Sequence, residues 1–339
     1  MLFSTRAGWN IWAGVMLLLS FPLIGTAQEP QQDSQENLPT FTANVNVVNL
    51  FFNVKDKKGA LIPNLTKDSF EVYEDGKPQN IKYFSAETNQ PLTLGLLIDT
   101  SVSQERVLPM EKEVGAAFLR DVLRPKDLAF VISFDVNVDL LHDYTNEARV
   151  LRDALESAKI NSGGGFVSLP GTGGSPVPTS GTPKGTLLYD AVYLAAREKL
   201  STEVGRKAMI LLTDGADQGS QMNMKAAVEA AQKADTIVYV LLIADRGFYG
   251  GAYYGEGEMK KMAQETGGRV IDVGNKIEKL REAFDQIAAE LRSQYSIGYT
   301  PTNTVRDGSF RKIEIKTVGK DLKVQARKGY YAASARSGD

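Results

Sequence analysis

The chain contains no cysteine in 339 residues, and only one histidine, His142. Without thiols no disulfide can form, and a single imidazole leaves the usual zinc ligand sets incomplete. Any resident metal is therefore expected to be a hard cation held by oxygen. Charge of one sign is scarce too: 39 basic residues face 41 acidic ones, a formal net charge of −2. The basic residues form no long run, which argues against nucleic-acid binding through a basic face. Beyond the N-terminus no stretch is apolar enough to cross a bilayer. The remaining composition, 42% hydrophobic and 24% charged, is that of an ordinary folded protein with room for more than one domain.

The first 27 residues read as a secretory signal peptide. Arg6 precedes an apolar stretch from Ile11 to Ile24, and small residues Gly25, Thr26 and Ala27 follow, with cleavage expected after Ala27. The mature chain is then secreted or periplasmic, and membrane association is expected only if the leader stays uncleaved. Residues 28–40, rich in Gln, Glu, Ser and Pro, read as a flexible N-terminus.

Residues 41–89 form a small β segment. Val45, Val47, Val48, Leu50, Phe52 and Val54 partly alternate, Phe70, Val72 and Tyr73 make a short strand, and Glu74-Asp75-Gly76-Lys77-Pro78 is a turn signal. From residue 90 the grammar changes. Leu92 to Ile98, Leu128 to Phe134, Ala208 to Leu212 and Ile237 to Ile243 are continuous apolar runs, as expected of parallel strands buried on both faces. Helical patterns lie between them, including Tyr189 to Leu200 and Met259 to Thr266. The alternation predicts an α/β domain over 90–292: a doubly wound, mostly parallel sheet with helices on both faces. Residues 293–332 return to short alternating strands, and 333–339 are a tail. These strands are expected to pair with the N-terminal ones, giving one small β subdomain from both ends of the chain.

Residues 161–185 fit neither pattern. They are packed with Gly, Ser, Thr and Pro and read as an insertion loop, either functionless or a recognition element. Gly247 to Gly257 carries Phe248, Tyr249, Tyr253 and Tyr254, a contact surface or simply an ordered loop.

The chemistry gathers where apolar strands end. Asp99 closes one such run and is followed by Ser101 and Ser103; Asp214 closes another, and Thr186 offers a third hydroxyl. In an open parallel sheet ligands bind beyond the carboxyl ends of the strands. Two carboxylates and three hydroxyls suit Mg²⁺, or Mn²⁺, with an electropositive position left for a partner's Asp or Glu carboxylate. The simpler alternative is that Asp99 and Ser101 only cap a helix. Asp217 and Ser220 read as turn or cap residues. No small-molecule substrate is expected. No G-x-S-x-G elbow surrounds the serines, and His142 sits in a polar stretch. Metal-assisted hydrolysis and a metal-independent envelope scaffold are the competing functions.

The D-x-S-x-S run at Asp99, Ser101 and Ser103, the Gly185-Thr186 pair and the strand-ending Thr213-Asp214-Gly215 resemble the metal-ion-dependent adhesion site (MIDAS) of von Willebrand factor type A (VWA) domains. The resemblance implies that Ser101, Ser103 and Thr186 contribute hydroxyls, and that Asp99 and Asp214 contact the metal directly or through water. The flanks, Leu65 to Phe70 with Glu74-Asp75-Gly76, and Tyr295 to Tyr299 with Arg327 to Tyr330, are similar to those of exported VWA-related proteins common in acidobacteria. It implies a binding module rather than an enzyme. The Gly-rich insertion before Thr186 departs from the family pattern and bears on access to the site.

Overall fold

Strand β5 (Leu92–Asp99) is buried along all eight residues, and everything central to the molecule is arranged around it. The computed structural model describes residues 47–86, 90–161, 166–167, 177–178, 185–244, 255–319 and 321–334. The expected leader, the flexible N-terminus, most of the Gly-rich insertion and the four aromatic residues of the 247–257 loop lie outside the described residues. Before β5 come β1 (Val48–Lys55), β2 (Phe70–Glu74), β3 (Lys77–Gln79) and β4 (Ile81–Ser85). After it come α1 (Leu108–Val122), β6 (Leu128–Phe134), β7 (Val138–Thr145) and α2 (Ala148–Ser157). Two-residue strands β8 (Phe166–Val167) and β9 (Val177–Pro178) pair with each other inside the insertion. Then follow α3 (Leu188–Leu194), β10 (Arg206–Thr213), α4 (Met224–Lys233), β11 (Thr236–Leu242), α5 (Glu256–Thr266), β12 (Val270–Asp272) and α6 (Ile277–Arg292). The chain closes with β13 (Tyr295–Tyr299), β14 (Phe310–Thr317), β15 (Lys323–Ala326) and β16 (Gly329–Tyr331).

The central sheet has the order β12-β11-β10-β5-β6-β7. All its pairings are parallel except β6 with β7. This is the doubly wound α/β architecture. Alternate residues of β5 point to opposite faces, as the two-residue period requires. Leu94, Leu96 and Ile98 pack with α1, α2 and α6, while Leu97 joins the cluster under α3, α4 and α5. Gly95 leaves space for a neighbour: a Cβ there would stand 2.6 Å from Cζ of Phe130. Because the chain passes from β5 to β6 on one side and later to β10 on the other, the strand order reverses between β5 and β10. That crevice is where an open α/β sheet presents ligands.

Two elements differ from the sequence expectation. β7 is an antiparallel edge strand whose residues are half-buried or exposed, with register irregularities against β6. Its mixed polar face conceals it from a search for apolar runs. The helix expected over Tyr189 to Leu200 is α-helical only to Leu194 and continues as a π-helical segment, Ala195–Leu200.

The two ends of the chain build two further four-stranded sheets, β15-β1-β13-β4 and β16-β14-β2-β3. They share a core of Leu50, Phe52, Phe70, Val72, Tyr295, Ile297, Tyr299 and Ile313. Phe52 stacks on Tyr295 at 5.5 Å and meets Phe70 edge-on at 5.2 Å. The flanking motifs converge on one buried acid. Glu74 accepts hydrogen bonds from the hydroxyls of Tyr299 (2.7 Å) and Tyr330 (2.9 Å) and from Nη1 of Arg311 (3.2 Å). Arg311 also donates to the carbonyls of Asn303 and Val305, so the pair is satisfied on both sides. Glu290 of α6 ties this β module to the α/β domain. Its carboxylate takes Lys55 (2.8 Å), Arg269 (2.7 Å) and Gln325 (3.1 Å), and its carbonyl accepts from Asn53. Among the described residues no helix is long and apolar enough to cross a membrane.

Candidate metal centre

β5 delivers Asp99 to the carboxyl edge of the sheet as a fully buried side chain. Its carboxylate is held from two directions. Oδ1 accepts the backbone N–H of Ser101 (3.0 Å), and Oδ2 accepts the hydroxyl of Thr213 (2.7 Å) from the adjacent strand β10. The register of β5 and β10, with Ile98 opposite Leu212, puts these two strand ends side by side. Burial first, then the neighbouring Asp214 carboxylate, pushes Asp99 up to about 7; the bonds from Ser101 and Thr213 pull against that rise.

Ser101 stands at the N-cap position of a short turn, its carbonyl accepting the N–H of Gln104 (2.9 Å). After Asp99 the chain turns through a 3₁₀ segment, Val102–Gln104, and α1 begins only at Leu108. Ser101 makes no side-chain capping bond; its Oγ lies 3.0 Å from Oγ of Ser103. A hydroxyl cap therefore does not account for Ser101, which leaves its Oγ turned to Ser103. Val102, between the two serines, turns its side chain outward.

Asp214 is buried, with Oδ1 accepting the N–H of Ala216 (3.0 Å). Thr213 receives the N–H of Gly215 on the same hydroxyl that serves Asp99. The loop is braced by Gly255 at φ +90°, where a Cβ would fall 2.1 Å from the carbonyl oxygen of Gly215. Only glycine fits so close an approach. Thr186, also buried, exchanges two backbone hydrogen bonds with Gln218, both 2.9 Å, which joins it to the Asp214 loop. Asp217 and Ser220 fasten the same loop to the start of α3: Asp217 accepts from the N–H of Tyr189 and the hydroxyl of Ser220.

Asp99 and Asp214 thus stand within electrostatic reach of each other, Ser101 and Ser103 present paired hydroxyls beside Asp99, and Thr186 is tied to the loop after Asp214. Among the described residues no three His, Cys, Asp or Glu side chains form a metal-binding group. The donors here are two acids and three hydroxyls, all oxygen, a set suited to a hard divalent cation. The two carboxylates fit such an ion, whose charge would offset the Asp214 repulsion that adds to burial in raising Asp99.

Several residues of this region carry no local signature. Glu111 on α1 is fully buried, its carboxyl oxygens have no hydrogen-bond partner, and burial together with Asp99 and Asp214 drives its pKa well upward. The hint in the sequence is its spacing: it lies four residues after Val107 and three before Val114, on the core-facing stripe. Thr100 and Asp135 are linked by a hydrogen bond from the threonine hydroxyl to Oδ2 (2.8 Å), a contact between strands that no spacing rule reveals. His142 lies on β7 with Nδ1 2.6 Å from the carbonyl of Asp143, far along the chain from every candidate ligand.

No family model matches the chain, and no curated protein is significantly similar to it. Solved structures are. BatB from Bacteroides thetaiotaomicron is 20% identical, covering 60% of this chain and all of that one, with a TM-score of 0.44. Proximal thread matrix protein 1 from the mussel byssus, described with a zinc-occupied MIDAS motif, is 14% identical over 64% of this chain and 49% of its own, TM-score 0.47. The vWF domain of the type V pili tip protein Mfa5 from Porphyromonas gingivalis is 12% identical over 60% and 96%, TM-score 0.42. By its own strand order and its helices on both faces, the α/β domain is a doubly wound fold whose oxygen-bearing loops lie at the switch-point edge.

Proposed function

We propose that the chain is an exported binding module that holds a divalent cation, Mg²⁺ or Mn²⁺, through Asp99, Ser101, Ser103, Thr186 and Asp214, and uses it to grip an Asp or Glu carboxylate of a protein partner. The observation that carries this reading is Asp99 itself. It is a wholly buried carboxylate at the switch point, within electrostatic reach of Asp214, and the two serine hydroxyls of the turn that follows it lie 3.0 Å apart. A bound cation supplies an electropositive coordination position at the sheet edge, to which an anionic oxygen is drawn. The chain's own residues hold that position: Thr213 and the Ser101 amide orient Asp99, and Gln218 orients Thr186. No chemical change of the partner is involved. Hydrolysis would call for a positioned base, and the single histidine is engaged elsewhere on β7.

The test is affinity capture from envelope extract by the full chain, with Mg²⁺ and with chelator. Capture is expected to fail with chelator and with Asp214→Ala, while circular dichroism shows the fold intact. Capture that persists under both conditions removes the cation from recognition and leaves the metal-independent scaffold reading.

A further inference from the structure

We propose that Asp135 is the positioning residue of this metal centre, one that sets the ligand loops without belonging to the ligand set; the proposal rests on the metal reading above. Asp135 follows β6 directly, beside the end of β5, and its side chain is only 7% exposed. Every donor to its carboxylate named here is neutral. Oδ2 accepts from the Thr100 hydroxyl (2.8 Å), and Oδ1 accepts from the Asn137 N–H (3.0 Å) and Nδ2 of Asn161 (3.3 Å). Its backbone is used as fully: the N–H donates to the carbonyl of Asn137 (2.9 Å), and the carbonyl accepts from the N–H of Leu187 (2.8 Å).

The partners explain the role. Thr100 lies between Asp99 and Ser101, and Leu187 follows Thr186. One residue therefore fixes the chain immediately beside three of the five ligands, on loops more than eighty residues apart in sequence. Asn161 reinforces the link, since its N–H also donates to the Thr100 carbonyl (3.2 Å). A carboxylate accepts more strongly than a neutral oxygen, so it holds the Thr100 turn and Asn161 better than an amide or hydroxyl would, while the Leu187 contact is made by the main chain and survives substitution. Groups that orient metal ligands from behind typically account for about 10–100-fold in metal affinity.

The same strand supplies a matched control. Asp127, at the opposite end of β6, is 3% exposed and accepts the N–H groups of Leu92 (2.8 Å) and Arg124 (3.0 Å). It is built like Asp135 but lies at the amino edge of the sheet, away from the ligands. The experiment is titration calorimetry of the full chain with MnCl₂, for wild type, Asp135→Ala, Asp135→Asn and Asp127→Ala, alongside thermal melting in chelator. Asp135→Ala is expected to weaken Mn²⁺ uptake by about 10–100-fold. Asp127→Ala should lower the melting temperature yet keep wild-type affinity. Asp135→Asn, which keeps one acceptor oxygen and loses the charge, should fall between, and it carries the comparison if the alanine variant does not fold. Wild-type affinity in the Asp135 variants, or equal weakening by Asp127→Ala, overturns the role. A wild-type chain that takes up neither Mn²⁺ nor Mg²⁺ is a different result: it brings down the metal reading itself, and this role with it.

Discussion

Replacing Asp99 by Asn should make the metal-free protein more stable at alkaline pH relative to wild type, although a proposed ligand is lost. In the folded chain Asp99 is pushed from the ordinary value of 3.8 to about 7, by burial and then by Asp214. In the unfolded chain it returns to roughly 3.9. The folded state therefore holds a proton that the unfolded state has released throughout the intervening pH range. The stabilising contribution is complete below the unfolded value and is lost as pH rises through the folded one. At 1.36 kcal/mol for each tenfold change in proton affinity, the whole span is on the order of 4 kcal/mol, of which about 3 kcal/mol falls between pH 5 and pH 8. An asparagine does not titrate, and the site accommodates it: Oδ1 still accepts the Ser101 amide, while Nδ2 donates to the Thr213 hydroxyl, reversing that bond. Urea denaturation in chelator at pH 5 and pH 8 reads the difference. The gap between variant and wild type should move in the variant's favour by roughly 3 kcal/mol across that range. Mg²⁺ at a hundred times its dissociation constant should return about 2.7 kcal/mol to wild type at pH 8 and nothing to the variant. A gap that stays constant with pH would refute the electrostatic account of Asp99, and stabilisation of both chains by Mg²⁺ would place the cation elsewhere.

Arg311→Ala should destabilise the β module by about 3–5 kcal/mol, because it leaves Glu74 buried and short of its cationic partner; thermal melting measures this, and a loss below 1 kcal/mol would contradict the buried pairing. Glu111→Met should raise stability by roughly 1–3 kcal/mol, since it replaces a buried carboxyl without partners by an apolar chain of similar volume. The same melts check it, and a lower melting temperature would show that the carboxyl is satisfied in solution.

The parts legible in the sequence are those whose physics is local. β5, β10 and β11 are continuous apolar runs because both of their faces are covered, and a strand of that kind needs no neighbour to be recognised. Asp99, Ser101 and Ser103 lie within five residues, so their relation is visible at a glance. β7 was hidden because an edge strand keeps one side in solvent, and only Val138, Leu140 and Leu141 among its eight residues are aliphatic. The joining of the two chain ends was expected on thinner grounds than the strands themselves, because alternation specifies a face and not the partner across it. Asp135, and the role of Thr213 inside the motif that already named it, escaped for a related reason. Their importance lies in hydrogen bonds to a neighbouring strand end, 35 and 114 positions away from the groups they serve, and nothing in composition marks such a pairing.

The pairing of β1 with β13, which sets Val48 opposite Tyr299, has a kinetic consequence. During synthesis the first strands emerge long before the segment that completes their sheet, and the whole α/β domain is made in between. Until then they present bare edges and the apolar faces of Leu50, Phe52 and Phe70. Their zipping is a late event with a long loop to close, and the interval before it is when the nascent polypeptide is most prone to stick to its neighbours.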